Sequence, residues 1–235
     1  MRLLLTRPRE DADALAVILK ARGHEPIIAP LLELHFTPGG EIELKDIQAV
    51  LASSANGIRG FAARSPERNL PVYAVGPQTA EAARRCGFAQ VISAEGNAAA
   101  LVAKVAERTN PAKGKLLHAA GSETAGRIKH ALEARGYQVE AEILYEAIPV
   151  ESLPPSANVE LRTNRLDGVL LFSPRTARIF AALVAKTGLA DNCQRLEAFC
   201  ISTATAEALA PLAFARLAVA GSPNQAGMLD LFPDN

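Results

Sequence analysis

The chain has 235 residues, with 25 basic and 25 acidic side chains and a formal net charge of +0. That balance argues against bulk electrostatic binding of nucleic acid or of an anionic membrane surface, and a chain with no tryptophan and 5% aromatic residues makes a poor base-stacking platform. Its length and 49% hydrophobic content suit one large or two small globular domains with sizeable cores. The opening apolar run, Leu3–Leu5, is too short for a secretory signal, and no stretch approaches the roughly 18–20 apolar residues of a membrane span. Cys86, Cys193 and Cys200 are an odd set without a Cys-x-x-Cys pair, as expected of reduced thiols. The expectation is a soluble, cytoplasmic protein with no nucleic-acid or membrane partner.

Short β-rich apolar runs alternate with amphipathic patterns along the chain. In order, strands are expected at 3–6, 26–29, 49–52, 72–75, 90–92, 115–118, 138–142, 168–172, 198–201 and 216–219. Helical periodicity fills the gaps, most clearly at 11–21, 79–86, 124–135, 175–186 and 205–212. Such alternation predicts an α/β protein with parallel sheets covered by helices on both faces. Ten strands suggest two five-stranded sheets.

The chain also repeats itself. The segment ending Leu19-Lys-Ala-Arg-Gly-His24 returns as Leu132-Glu-Ala-Arg-Gly-Tyr137, 113 positions on. Val50–Ser54 matches Leu170–Ser173 at serine, and both precede a helix carrying phenylalanine (Phe61, Phe180). Val75-Gly-Pro-Gln-Thr-Ala-Glu-Ala82 matches Ile201-Ser-Thr-Ala-Thr-Ala-Glu-Ala208, and Asn97 echoes Asn224. A period this long marks a duplicated domain, not a solenoid. Two stretches break the pattern, Pro30–Phe36 and Ile143–Pro149, each extended, mixed apolar and polar, and each leading into a Pro/Gly or Pro-Pro loop. They can pair as a two-stranded connector.

Several short motifs occur in a telling order: Leu5-Thr-Arg-Pro8, Ser53-Ser-Ala-Asn56, Val75-Gly-Pro-Gln-Thr-Ala80, Leu144-Tyr145, Phe172-Ser-Pro-Arg-Thr-Ala177, and Ser222-Pro-Asn with Met228-Leu229. In this order the chain resembles the uroporphyrinogen-III synthase family along nearly its whole length. The resemblance implies two flavodoxin-like, doubly wound domains joined by the two-stranded connector. One would be discontinuous, residues 1–35 and 149–235, and the other would span 37–147. It also implies a hydro-lyase that closes hydroxymethylbilane to uroporphyrinogen III with inversion of the last ring and loss of water. Two departures stand out: Ser202-Thr203 replaces the usual Gly-Pro, and Ala119-Ala120-Gly121 stands where many bacterial members carry Arg-Gly.

The substrate so implied bears eight carboxylates, yet the protein has no net positive charge. Helix N-termini beyond the carboxyl ends of the strands meet that need, because their free N–H groups and dipoles favour anions. The loops expected there hold Thr6, Arg7, Ser53, Ser54, Gly76, Thr79, Ser173, Arg175 and Thr205, the candidate substrate contacts. Each serine or threonine reads first as an ordinary helix N-cap, worth about 1 kcal/mol, and a cap can also face a ligand. Arg7 and Arg175 can pair with carboxylates through two parallel hydrogen bonds, whereas Arg178 reads as surface. Tyr145 is the candidate catalytic residue, since the family places a tyrosine in the connector to help the substrate hydroxyl leave. A phenol can donate a proton or hydrogen bond to departing hydroxide.

Other chemistries lack their motifs. His24, His35, His118 and His130 are scattered without metal-ligand spacing, and no phosphate loop, dinucleotide fingerprint or nucleophile elbow occurs. No metal and no cofactor are expected. The partner is a small molecule, and the protein is expected to be a monomer. The alternative is a non-catalytic two-domain sensor of a small anionic ligand, which a duplicated α/β pair would also serve.

Overall fold

The computed structural model describes residues 1–123 and 125–232, so Thr124, the expected start of one helix, and 233–235, the end of the expected discontinuous domain, lie outside the described residues. In chain order the elements are β1 (Arg2–Leu5), α1 (Arg9–Ala21), β2 (Glu25–Ile28), β3 (Leu32–Phe36), β4 (Ile47–Ala52), α2 (Ala55–Arg64), β5 (Val72–Ala74), α3 (Pro77–Arg85), β6 (Val91–Ser93) and α4 (Ala98–Arg108). They continue with β7 (Lys115–Gly121), α5 (Ala125–Glu133), β8 (Val139–Pro149), α6 (Pro155–Arg162), β9 (Gly168–Leu171), α7 (Pro174–Lys186), β10 (Glu197–Cys200), α8 (Thr203–Glu207), β11 (Arg216–Val219) and α9 (Gln225–Leu229). The chain divides into two compact units, Met1–Glu33 with Ile148–Asn235, and Leu34–Ala147.

The first unit holds a five-stranded sheet in the order β11-β10-β9-β1-β2, with every pairing parallel. Its strands alternate strictly between two cores, as the period of two requires when both faces are covered. Leu4, Val169, Leu171, Ala198 and Cys200 pack with Phe180, Val184 and Leu161 of α7 and α6. Leu3, Leu5, Leu170 and Phe199 face the other way, against Leu15 and Leu19 of α1 and Met228 of α9.

The second unit holds a sheet in the order β3-β8-β7-β4-β5-β6. Val50, Ala52, Leu117 and Ala119 pack against Ile58 and Phe61 of α2, while Ala49, Leu51 and Leu116 pack against Leu101 and Val105 of α4 and Leu132 of α5. It has six strands where five are expected, because Leu32–Phe36 forms β3 at the sheet edge. Thr37 N donates to Leu144 O at 2.9 Å and Val150 N to Leu31 O at 3.2 Å, so β3 runs antiparallel to the end of β8. The two connector segments therefore pair, as the outer edge of a sheet and not as a free ribbon.

The repeat explains the topology. Matching β1 with β7, β2 with β8, and β4, β5, β6 with β9, β10, β11 gives both sheets one spatial order. In the first unit that order, numbered along the chain, is the flavodoxin-like 2-1-3-4-5. The second unit is its circular permutant, with the equivalents of β1 and β2 last in sequence. The shared Ala-Arg-Gly ends α1 and α5 identically. Gly23 and Gly136 take left-handed φ values of 77° and 84°, and the next residue's N–H reaches back to Leu19 O at 3.0 Å or Leu132 O at 3.2 Å.

Candidate active site

In the second unit the ends of β4, β7 and β8 bring five residues together. Ser54 caps α2, its Oγ accepting from Gly57 N at 3.0 Å. The same oxygen lies 2.9 Å from the hydroxyl of Tyr145 on β8. Beside it, Ser53 Oγ is 3.0 Å from Nε2 of His118, a fully buried residue of β7. Gly121, at the end of β7, stands in register with Tyr145, and Ser122 N donates to Tyr145 O at 3.1 Å. The tyrosine ring occupies the space a side chain on Gly121 would need, its Cζ only 2.5 Å from an ideal Cβ there. Tyr145 is 8% exposed, so the hydroxyl is fixed by its surroundings and does not sweep solvent.

The neighbouring loop after β5 is built differently. Gly76 is the N-cap of α3 in an extended conformation, φ −161° and ψ 179°, with Pro77 opening the helix. Gly76 has no side chain to cap the helix and Pro77 has no N–H, so the donors on offer are the remaining backbone N–H groups of the first turn. Thr79 is buried at 5% exposure, so its hydroxyl faces inward.

In the first unit Ser173 caps α7, accepting from Thr176 N at 3.0 Å, with the two hydroxyl oxygens 2.9 Å apart. After β10 the same box recurs: Ser202 Oγ accepts from Thr205 N at 3.3 Å and lies 3.0 Å from Thr205 Oγ1. Arg175 is half-exposed in the first turn of α7. Arg7 is committed more tightly. Its guanidinium pairs with Asp11 at 2.9 Å, donates to Gln225 at 3.2 Å, and stacks on the Phe172 ring at 4.6 Å.

Three expected contacts have buried side chains. Thr6 is fully buried and donates to Leu170 O at 2.8 Å, tying β1 to β9. Thr205 is fully buried within its capping box, and Thr79 is buried in its helix. The Thr6 and Thr205 hydroxyls are engaged within the fold. Ser53, Ser54 and Tyr145 converge as a cluster, while Gly76, Ser173 and Arg175 stand at helix starts. Sequence reading missed Ser202 as the cap after β10, His118 as the partner of Ser53, and Gly121 as the seat of Tyr145. Asn97 and Asn224 cap α4 and α9.

The remaining chemistry is sparse. Burial pushes the Cys193 thiol up to about 12 and Cys200 up to about 11, so neither is a thiolate at neutral pH. Among the described residues no three His, Cys, Asp or Glu side chains stand together as metal ligands, and no helix is long and apolar enough to cross a membrane. An open groove lined by Gly39, Gly40, Arg64, Ser65 and Arg68 lies at the far end of α2 from Ser54. Its arginines are committed, Arg64 to Glu142 at 2.7 Å and Arg68 to four backbone carbonyls.

Comparison with known proteins agrees with the fold. A protein of Methanocaldococcus jannaschii, provisionally named a uroporphyrinogen-III synthase, is 31% identical over 87 residues, which cover 34% of this chain and 36% of that protein. The aligned region thus spans about a third of that curated relative. The uroporphyrinogen-III synthetase of Helicobacter pylori shares the fold, with a TM-score of 0.65 at 16% identity over 98% of both chains. A mutant uroporphyrinogen III synthase of Thermus thermophilus gives 0.53 at 16% identity, over 99% of this chain and 97% of that one. The family model described as Uroporphyrinogen-III synthase HemD matches residues 13–230, and the chain belongs to that family.

Proposed function

We propose that the chain is a hydro-lyase that converts hydroxymethylbilane to uroporphyrinogen III, without metal or organic cofactor, as a monomer in the cytoplasm. Family membership supports the reaction class. The single observation that carries the site is the Tyr145 hydroxyl, fixed 2.9 Å from Ser54 Oγ at the mouth of the second sheet. The three cysteines are all free thiols, which suits a reducing compartment.

The chemistry asks little of acid and base groups. As the C–O bond of the hydroxymethyl carbon breaks, its electron pair goes to oxygen, and the Tyr145 proton converts the departing hydroxide to water. The pyrrole nitrogen lone pair forms the new double bond, leaving a cationic azafulvene. The terminal ring attacks through its substituted carbon, giving a spiro intermediate that reopens and recloses with that ring inverted. The proton lost at closure returns to the phenolate, so the sum is loss of one water. The protein's main task is to hold the chain in this geometry. Backbone N–H groups at the starts of α2, α3 and α7 offer donors to the carboxylates, and Arg175 adds a cation at the α7 mouth.

The test is incubation with freshly prepared hydroxymethylbilane, with chromatographic separation of type I and type III products. Enzyme-dependent type III product is expected. Type I alone, at the spontaneous rate, would reject the reading. No observation favours the sensor alternative.

A further inference from the structure

We infer that Asn56 is a substrate-binding residue: its amide NH2 donates to a substrate carboxylate seated on the first turn of α2. The inference rests on the proposed reaction for the identity of that ligand, and it adds a side chain to a mouth so far credited with backbone donors.

A neighbour fixes which way the amide faces. Arg59 Nη1 donates to Asn56 Oδ1 at 2.6 Å. A guanidinium carries donors only, so the amide turns its oxygen to Arg59 and its NH2 away from it. Asn56 is 8% exposed, and among the described residues its NH2 has no hydrogen-bond partner. Burial sets this pair apart from an ordinary i,i+3 pair on a helix surface, whose spare amide group faces bulk water. A donor shielded by its surroundings and unmatched by protein gains from an arriving acceptor.

The place suits an anion. Asn56 is the second residue of a ten-residue helix with no acidic side chain in its first turn, and side chains there tilt toward the helix N-terminus. Ser54 Oγ takes up the Gly57 N–H at 3.0 Å. The N–H groups of Ala55 and Asn56 have no acceptor within the helix, and the helix dipole favours negative charge beside them. The same face of α2 meets β8, since a β-carbon on Gly60 would lie 2.8 Å from Leu144 Cβ. One turn nearer the helix start, Asn56 stands on the strand-end side of that contact, the side where the Tyr145 hydroxyl meets Ser54 Oγ. Aligning the two caps, Ser54 with Ser173, sets Asn56 opposite Arg175 and Arg59 opposite Arg178. Both units thus carry a planar N–H donor group at the second position of this helix, neutral in one and cationic in the other.

Two variants separate the donor from its surroundings. Asn56→Asp is isosteric, keeps an oxygen for Arg59 and puts an acid in the first turn, so it should melt at or above the parent temperature. It replaces the donor by a second acceptor that repels a carboxylate. Asn56→Ala removes the donor without adding charge. In Asn56→Ala, KM for hydroxymethylbilane should rise about tenfold, the low end for a hydrogen bond to a charged group. In Asn56→Asp it should rise about 30-fold or more, because repulsion adds to the lost bond. In both, kcat should stay within about threefold, since substrate and transition state share the contact. A readout independent of turnover is calorimetric titration with uroporphyrinogen III kept reduced, whose affinity should fall in the same order, parent above Ala above Asp.

Type III formation by the parent, with KM unchanged in both variants, would overturn the role of Asn56 and leave the proposed reaction intact. A loss in Asn56→Asp with Asn56→Ala unchanged would overturn it too, since the new charge would then act at a distance. So would losses confined to kcat with unaltered titrations, because Asn56 would then not hold the ground-state substrate. A parent protein that yields only type I at the spontaneous rate would reject the reaction and this inference with it. If Asn56→Asp does not fold, Asn56→Ala against the parent decides alone, and equal KM values there would overturn the role.

Discussion

The carbonyl oxygen of Ala119 lies 2.2 Å from where a β-carbon on Gly57 would stand, so β7 and the first turn of α2 meet backbone to backbone. This close approach brings Ser53 to His118 and Ser54 to Tyr145. Gly57→Ala should therefore be destabilising, by about 1–3 kcal/mol for an overpacked site, despite the better helix propensity of alanine. Gly126 in α5 is the control, because a β-carbon there meets nothing within 4 Å. Gly126→Ala should gain roughly 0.5–1 kcal/mol. Thermal melts of the two variants decide the matter, and a Gly57→Ala protein that melts at or above the parent temperature would contradict the packing.

Gly121 makes a second close approach, with different consequences. The atoms in the way belong to a side chain, the Tyr145 ring, with Cζ at 2.5 Å and the hydroxyl oxygen at 2.8 Å. A ring can tilt where a backbone cannot. Gly121→Ala should thus fold, with a modest drop in melting temperature, and should slow type III formation about as much as Tyr145→Phe does, roughly 10- to 100-fold. Combined, the two changes should cost little more than either alone. A Gly121→Ala enzyme of normal rate would mean that the tyrosine's placement does not matter to the chemistry.

Carboxylate binding by many backbone N–H groups implies graded effects at the mouths. Ser173→Ala removes the α7 cap and its contact with the Thr176 hydroxyl. About 1 kcal/mol of stability should go with the cap. The rate should fall tenfold or less, about 1.4 kcal/mol of barrier. The check is type III rate alongside a melt. Complete loss of activity in a normally melting Ser173→Ala protein would put the chemistry on that one side chain.

Much of the architecture was legible because its signals are local or periodic. Alternation of short apolar runs with amphipathic helices implied parallel sheets, and the Ala-Arg-Gly repeat marked the ends of α1 and α5. The edge strand β3 was harder, since Leu32–Phe36 is only partly buried and carries no strong alternation. The site was legible in kind but not in detail. Ser53, Ser54 and Tyr145 carry recognisable motifs, but their partners depend on register across β4, β7 and β8, which no spacing encodes. That is why His118 read only as the end of the expected strand 115–118 and Gly121 only as part of a departure from the family pattern. For Thr6 and Thr205 too, the hydroxyl's partner was not legible. A hydroxyl after a strand looks like a ligand contact until the neighbouring strand or cap is seen to engage it. The repeat held one unused clue, Gly57 opposite Thr176, the position that decides which hydroxyl each cap oxygen faces.

The buried histidine of the first unit gives a prediction independent of catalysis. His24 follows Gly23 at the end of α1, is 6% exposed, and packs at 5.3 Å from the Phe232 ring. Its Nδ1 faces the Met1 amine at 3.3 Å, and its Nε2 has no hydrogen-bond partner among the described residues. Burial first, then the positive charges of the Met1 amine and Arg22, holds its pKa below the ordinary 6.5. The folded protein therefore keeps His24 neutral where the unfolded chain would bind a proton. The resulting stability is present in full above the unfolded value and is lost as pH falls from about 6.5 toward the lower folded value. Its steepest slope is about 1.4 kcal/mol per pH unit, one proton's worth. His24→Gln removes the titration while leaving His35, His118 and His130 in place. Melting temperatures of parent and variant between pH 7.5 and 5 should therefore converge as the pH falls, with the parent losing more. In the second unit the equivalent position is Tyr137, whose hydroxyl donates to Thr109 O at 3.0 Å and needs no such protection from acid. Parallel melting curves for parent and His24→Gln across that range would show that the histidine takes up its proton as readily folded as unfolded.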